Sequence, residues 1–260
     1  MLKIRNTKTN TFPIAIHMNG GLNLNPQGHN LWKKIWHSSR PHVGKFKPKS
    51  EALRDDCHLS FMNHGSHIDM ASLSLEMFGL EYDNIANYIK DQLPPIEEKK
   101  KFYIKWVRKV QLLKIQALKP FIEKTRKKYY IGWDNTDVFF IDHPNRIIER
   151  FESEFNCEML LNAEIDCSPP AAKKMGLYEN LPLNGFQNFL NSGLFIVKRD
   201  FFMDNFNLLD SKEVLKGDEA DQSKFHQLYS EKYPEIQIDS NCKIFQSTVN
   251  IPDNTIEIIE

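Results

Sequence analysis

The run Tyr129-Tyr130-Ile131-Gly132-Trp133 constrains this chain more than any other stretch, because it reads as a buried strand with no strongly polar face for solvent. Such a strand belongs inside a sheet that is covered on both sides. It opens onto Asp134-Asn135-Thr136-Asp137, and a second apolar run, Val138-Phe139-Phe140-Ile141, follows at once. Asp and Asn between two apolar runs suit a turn. Two carboxylates three residues apart at a strand end also suit convergence on one divalent cation. Hard oxygen ligands favour Mg²⁺ or Mn²⁺, which can in turn hold a diphosphate.

The remaining elements extend this pattern. Residues 12–18 read as a short buried strand that ends in the turn signal His17-Met18-Asn19-Gly20-Gly21. His58–Met62 reads as a strand, Asn63-His64-Gly65-Ser66-His67 as a polar turn, and Ile68–Phe78 as a helix. A long amphipathic helix is expected from Ile96 to about Lys119, with Trp106, Val110, Leu113 and Ala117 on one face and Pro120 ending or kinking it. Further on come a helix over Ile147–Phe155, strands over Met159–Ala163 and Gly193–Val197, and a helix over Asp218–Tyr233. Single apolar strands alternating with helices predict an α/β fold, one domain over residues 1–260 with a mostly parallel sheet and helices on both faces. The Pro- and Lys-rich stretch from Arg40 to Lys49 reads as a surface connection.

Charge and cysteine usage narrow the class. Thirty-four basic residues balance thirty-four acidic ones, so the total points to neither nucleic acid nor membrane. The distribution is uneven: twelve Lys/Arg lie between Lys99 and Lys128 against one acid, Glu123. Cys57, Cys157, Cys167 and Cys242 are far apart and lack zinc spacing, which predicts reduced thiols in a cytoplasmic protein, that of a host cell if the chain is viral. The N-terminal residues lack the apolar stretch of a signal peptide, and no membrane span is expected.

The order of motifs carries a resemblance. After the acids come Asn162-Ala163-Glu164-Ile165-Asp166-Cys167-Ser168-Pro169, Phe189-Leu190-Asn191-Ser192-Gly193-Leu194-Phe195-Ile196, Asp221-Gln222, and Asp239 with Ile244-Phe245-Gln246. This series resembles the glycosyltransferase domain of the procollagen lysyl hydroxylases and their bacterial and viral relatives, from roughly Leu59 to Gln246. The resemblance implies a GT-A fold, a nucleotide-sugar donor, and a metal held by the acid pair Asp134 and Asp137 with a His from a His-x-Asn-Gly segment that follows Phe-Gln. Here the match to that segment is His17-Met18-Asn19-Gly20, ahead of the first strand of the resembling region. Either the chain is circularly permuted, with the final strand within residues 1–45, or those residues are the tail of a preceding domain, or the match is a coincidence.

On this reading Asp134, Asp137 and His17 are the metal ligands. Asn191 and Ser192 are placed to bond sugar hydroxyls, and Glu164 and Asp166 lie at the carboxyl edge where open α/β sheets bind ligands. Asp221 and Gln222 complete the catalytic set, although an acid there also suits a helix first turn. The resemblance puts the nucleotide at Asn63, Gly65 and Ser66, with Asn135 and Lys105 as further donor-binding candidates. The expected activity is transfer of a hexose, from UDP-glucose or UDP-galactose, to a hydroxyl. The acceptor is either a hydroxymethylated or glucosylated DNA base, for which the basic stretch argues, or hydroxylysine or a glycan. The rival readings are a nucleic-acid-binding protein with a structural acid pair and a metal-dependent nuclease.

Overall fold

The computed structural model describes residues 3–18, 30, 33, 51–62, 70–97, 103–134, 137–215 and 221–259. In chain order the strands are β1 (Lys3–Asn6), β2 (Ala15–His17), β3 (Cys57–Phe61), β4 (Asp83–Asn84), β5 (Tyr129–Trp133), β6 (Val138–Phe140), β7 (Met159–Glu164), β8 (Phe189–Lys198), β9 (Ile236–Ile238), β10 (Phe245–Ser247) and β11 (Ile256–Ile259). The helices are α1 (Met70–Met77), α2 (Tyr103–Thr125), α3 (Asn145–Glu154), α4 (Pro170–Lys174), α5 (Arg199–Ser211) and α6 (Gln222–Lys232).

The apolar run is β5, third in a six-stranded sheet of order β4-β3-β5-β8-β7-β9. In that sheet β8 alone runs against its neighbours, so the fold is α/β with a mostly parallel sheet, as the sequence predicts. Successive side chains of β5 enter different cores. Tyr130 joins residues of α2, α5 and α6 on one face, whereas Tyr129, Ile131 and Trp133 join residues of α1, α3, β6 and β10 on the other. At Gly132 the Phe195 ring of β8 takes the space of a side chain, since a Cβ there would lie 2.3 Å from its Cζ.

Two expectations need correction. Helix α2 passes through Pro120 and ends at Thr125, so Pro120 does not end the helix near Lys119. Proline removes one N–H from the ladder. Ala117, Leu118, Phe121 and Ile122 are buried on either side of it, and their packing holds the helix together. Strand β8 also begins four residues early. Asn191 and Ser192 therefore lie inside a strand and not at a strand start: Asn191 pairs with Asn162 of β7, and Ser192 falls in the register shift between the Leu161 and Asn162 pairs.

A second sheet, β10-β2-β6, is built from distant parts of the chain. β2 lies parallel to β10 and antiparallel to β6, with His17 opposite both Ser247 and Val138. Beside it β1 pairs antiparallel with β11, Lys3 facing Ile259. Asp239 braces the loop into β10: its buried carboxylate accepts the N–H groups of Lys243, Ile244 and Phe245 at 2.9, 2.6 and 2.8 Å. Among the described residues no helix is long and apolar enough to cross a membrane.

Candidate active site

The carboxyl ends of β5 and β7, the start of the reversed strand β8, the end of β2 and the head of α6 meet at one edge of the main sheet. Ligands of open α/β sheets bind at such an edge. Asp134 follows β5, and its N–H is held by Gly193 O at 2.8 Å. Asp137 precedes β6, and its carbonyl accepts the N–H of Met18 at 2.7 Å, which ties the acid loop to the end of β2. His17 is thereby brought next to the acids, with Nε2 3.4 Å from Asp137 Oδ1.

A residue absent from the sequence-based site occupies its centre. Lys114 is 2% exposed, and its ammonium reaches Asp134 Oδ1 at 2.9 Å, Asp221 Oδ2 at 2.6 Å and Ser192 O at 3.1 Å. The contacts with Asp134 and Ser192 O are hydrogen bonds and that with Asp221 is an ion pair. Burial works to lower the Lys114 pKa, but Asp134 and Asp221 outweigh it and hold the ammonium charged. The same interaction answers for Asp134, whose burial favours protonation while Lys114 and then His17 keep it below the usual carboxylate range. His17 follows the same logic: burial favours the neutral ring, and Asp137, with Asp134 and Asn191, more than reverses this. The signal for Lys114 was in the sequence. It falls on the buried stripe Trp106, Val110, Lys114, Ala117, Phe121, a charge at a position that periodicity assigns to the core.

A polar network flanks this cluster. Asn191 Oδ1 lies 2.8 Å from His17 Nδ1 and accepts the Gly193 N–H at 2.9 Å, while its Nδ2 donates to Glu164 Oε2 at 3.1 Å. Glu164 Oε1 accepts from Gln222 Nε2 at 3.0 Å, and the same Nε2 also faces Ser168 O. Gln222 Oε1 accepts the Ser192 N–H at 3.3 Å. Glu164, Asn191, Ser192, Asp221 and Gln222 are thus drawn together with His17, Asp134 and Asp137. Asp166 stands apart, exposed and bonded to Asn250 Nδ2 at 2.7 Å. Lys105 is exposed as well, nine residues before Lys114, which is roughly 13 Å along a helix axis. Asn63, Gly65, Ser66 and Asn135, with Asn19 and Gly20, lie outside the described residues.

The donor set can be compared with what a divalent cation requires. Among the described residues no three His, Cys, Asp or Glu side chains already converge as a metal group. The chemistry nonetheless fits Mn²⁺ or Mg²⁺, because an imidazole nitrogen and a carboxylate oxygen 3.4 Å apart are close to the spacing of adjacent ligands on an octahedral ion, about 3 Å. His17 is also seated as a ligand needs to be, with Nδ1 engaged by Asn191 and Nε2 turned to the acids.

Comparison with known proteins places the chain. No curated protein matches it. Among solved structures, mouse xyloside xylosyltransferase 1 in its apo form matches with a TM-score of 0.37 at 14% identity, over 60% of this chain and 60% of that one. The sequence model of the PLOD GT domain matches residues 107–258, more than half of the chain, and takes in the acid pair, Glu164, Asn191-Ser192 and Asp221-Gln222. The chain therefore belongs to the PLOD GT domain family and is a glycosyltransferase, and its fold is α/β with a mostly parallel sheet.

Proposed function

We propose that this glycosyltransferase moves a hexose from a UDP-type nucleotide sugar to a hydroxyl acceptor, with Asp134, Asp137 and His17 holding Mn²⁺ or Mg²⁺. The observation that carries the reading is the 3.4 Å approach of His17 to Asp137, which unites the front of the chain with the acid pair. When bound, the cation would offset the charge that develops on the departing diphosphate. Lys114 keeps Asp134 ionised and fixed at the strand end, so the ligand does not have to lose a proton first. Asn191 and Gln222 hold Glu164 at the same edge, where a fixed carboxylate can accept from a sugar hydroxyl.

We also read the domain as circularly permuted. The family's His-x-Asn-Gly follows Phe-Gln in sequence, and here the strand that ends in His17 precedes it; yet β2 lies parallel to β10, register-paired through Phe245 and Gln246. The pairing of Lys3 with Ile259 supports the same reading, since a short turn between β11 and β1 would restore the family's order. For the acceptor, a protein or glycan hydroxyl is favoured over DNA. Several cations of the basic stretch are engaged within the fold: Lys114 as above, Lys119 over the Phe206 ring, Lys124 over Tyr88 and Lys127 on Asp55 O. The four unpaired thiols suit a reducing, cytoplasmic setting.

The test is donor hydrolysis over a panel of nucleotide sugars, with Mn²⁺, with Mg²⁺ and with a chelator. Wild type should split a UDP-hexose slowly with metal. Asp134→Asn and Asp137→Asn should lose at least a hundredfold, on the order of 3 kcal/mol of barrier. Near wild-type rates in both variants would refute the cation reading.

A further inference from the structure

We propose that Asn191 is a positioning residue that fixes the neutral imidazole of His17 as the Nδ1–H tautomer and so presents the Nε2 lone pair to the acid pair. The bonds of the amide set its orientation from two sides. The Gly193 N–H is a donor only, and it lies 2.9 Å from Asn191 Oδ1. The Glu164 carboxylate accepts, and it lies 3.1 Å from Nδ2. Oδ1 must therefore be the atom that faces His17 Nδ1 at 2.8 Å, and an acceptor there requires the ring proton on Nδ1. The ring cannot swing away. It lies against the backbone of Gly193, where a Cβ would come within 2.0 Å of Cε1 and 2.7 Å of both ring nitrogens. The orientation of the amide is itself secured by Gln222, which holds the other oxygen of Glu164 at 3.0 Å.

A role for Asn191 follows that differs from sugar contact. Without its amide oxygen, the neutral ring would carry its proton on Nε2, donate it to Asp137, and hide the lone pair that a cation needs. Removing a partner of this kind lowers metal affinity by roughly 10- to 100-fold in metalloprotein sites. The inference rests on the cation reading above for its functional meaning, but the tautomer is measurable without any metal.

The test uses the full chain labelled with ¹⁵N-histidine, with the His17 signals identified by their loss in His17→Asn. Two-bond ¹H–¹⁵N correlations recorded where the ring is neutral should show Nδ1–H in wild type and Nε2–H in Asn191→Leu. The double variant Asn191→Asp with Glu164→Gln exchanges donor and acceptor within the network; it should fold and keep Nδ1–H. Nε2–H in wild type or in the double variant overturns the proposal, as does Nδ1–H retained in a folded Asn191→Leu. Mn²⁺ titration followed by electron paramagnetic resonance gives the second readout, with affinity 10- to 100-fold weaker in Asn191→Leu. Failure of wild type to bind Mn²⁺ would instead refute the cation reading, whatever the nitrogen signals show.

Discussion

Replacing Lys114 by Met should destabilise the protein by about 3–5 kcal/mol, the cost of leaving a buried ion pair with one partner. The magnitude rests on which charges are stranded. Asp221 has a side chain only 3% exposed and sits 2.6 Å from the ammonium, so its carboxylate would remain in the interior without its counterion. Asp134 has a side chain 26% exposed and can turn partly to solvent, so it contributes less. Methionine fills nearly the volume of the lysine stem, so little of the loss would come from a cavity. In a domain of this size, 1 kcal/mol corresponds to a melting shift of roughly 2–4 °C, and the expected drop is roughly 6–20 °C by scanning calorimetry. Asp221→Asn added to Lys114→Met should recover most of that drop, because it removes the stranded charge; alone, Asp221→Asn should be destabilising. If Lys114→Met melts within about 3 °C of wild type, or if the second change recovers nothing, the ammonium is not the counterion that joins α2 to the site.

Other consequences can be checked separately. Glu152 accepts from Arg54 at 2.8 Å and from Tyr129 OH at 2.6 Å, bonds that pull its pKa down to about 2 from an ordinary value near 4.5. A depressed carboxyl adds stability above its unfolded value and loses it as pH falls through the folded one. Urea midpoints of wild type and Glu152→Gln should therefore differ above pH 5 and converge toward pH 2, by less than the full shift implies because the side chain is 37% exposed. If DNA is the acceptor after all, fluorescence anisotropy should show duplex binding that weakens steeply with salt and falls in Lys105→Gln with Lys109→Gln, donor hydrolysis being kept; absence of salt-dependent binding would exclude it. A chain re-ordered to run from residue 51 to 260, through a short turn, into residues 1–50 should keep the fold and the donor hydrolysis of wild type. Loss of both would count against the permutation.

The sequence made the fold class legible because β5 has no face for water and the strands around it alternate with helices. It made less of the site legible, for two physical reasons. A lysine on an amphipathic helix ordinarily belongs to the solvated face, and a count of charges from Lys99 to Lys128 treats Lys114 like Lys105. Phase around the helix separates them: Lys114 lies four residues from buried Val110 and three from buried Ala117, whereas Lys105 is exposed. The second reason is that side-chain direction in β8 depends on an irregularity within it, where Ser192, Gly193 and Leu194 have no partner in β7. Asn191 looked like a group at a strand start, free for a sugar. Inside the strand its amide meets His17, Glu164 and the Gly193 N–H, none of which is near enough in sequence, apart from Gly193, to predict the contact.

On the proposed permutation, the arrangement of these partners also accounts for how a displaced strand would still serve the site. The backbone ladder of β2 fixes only the plane and register of His17, three residues on each side. As a proposed ligand the ring needs more than that, because a ligand must be held in direction as well as position. Gly193 supplies a surface for the ring and Asn191 a partner for Nδ1, and both come from β8, a strand of the main sheet. Asp137 comes from the other side, tied to β2 through the Met18 N–H. Each of these contacts depends on where the strand end lies in space and none on where it lies along the chain. The order of segments can therefore change while the geometry around His17 is preserved, provided that the chain ends fall beside each other, as Lys3 and Ile259 do.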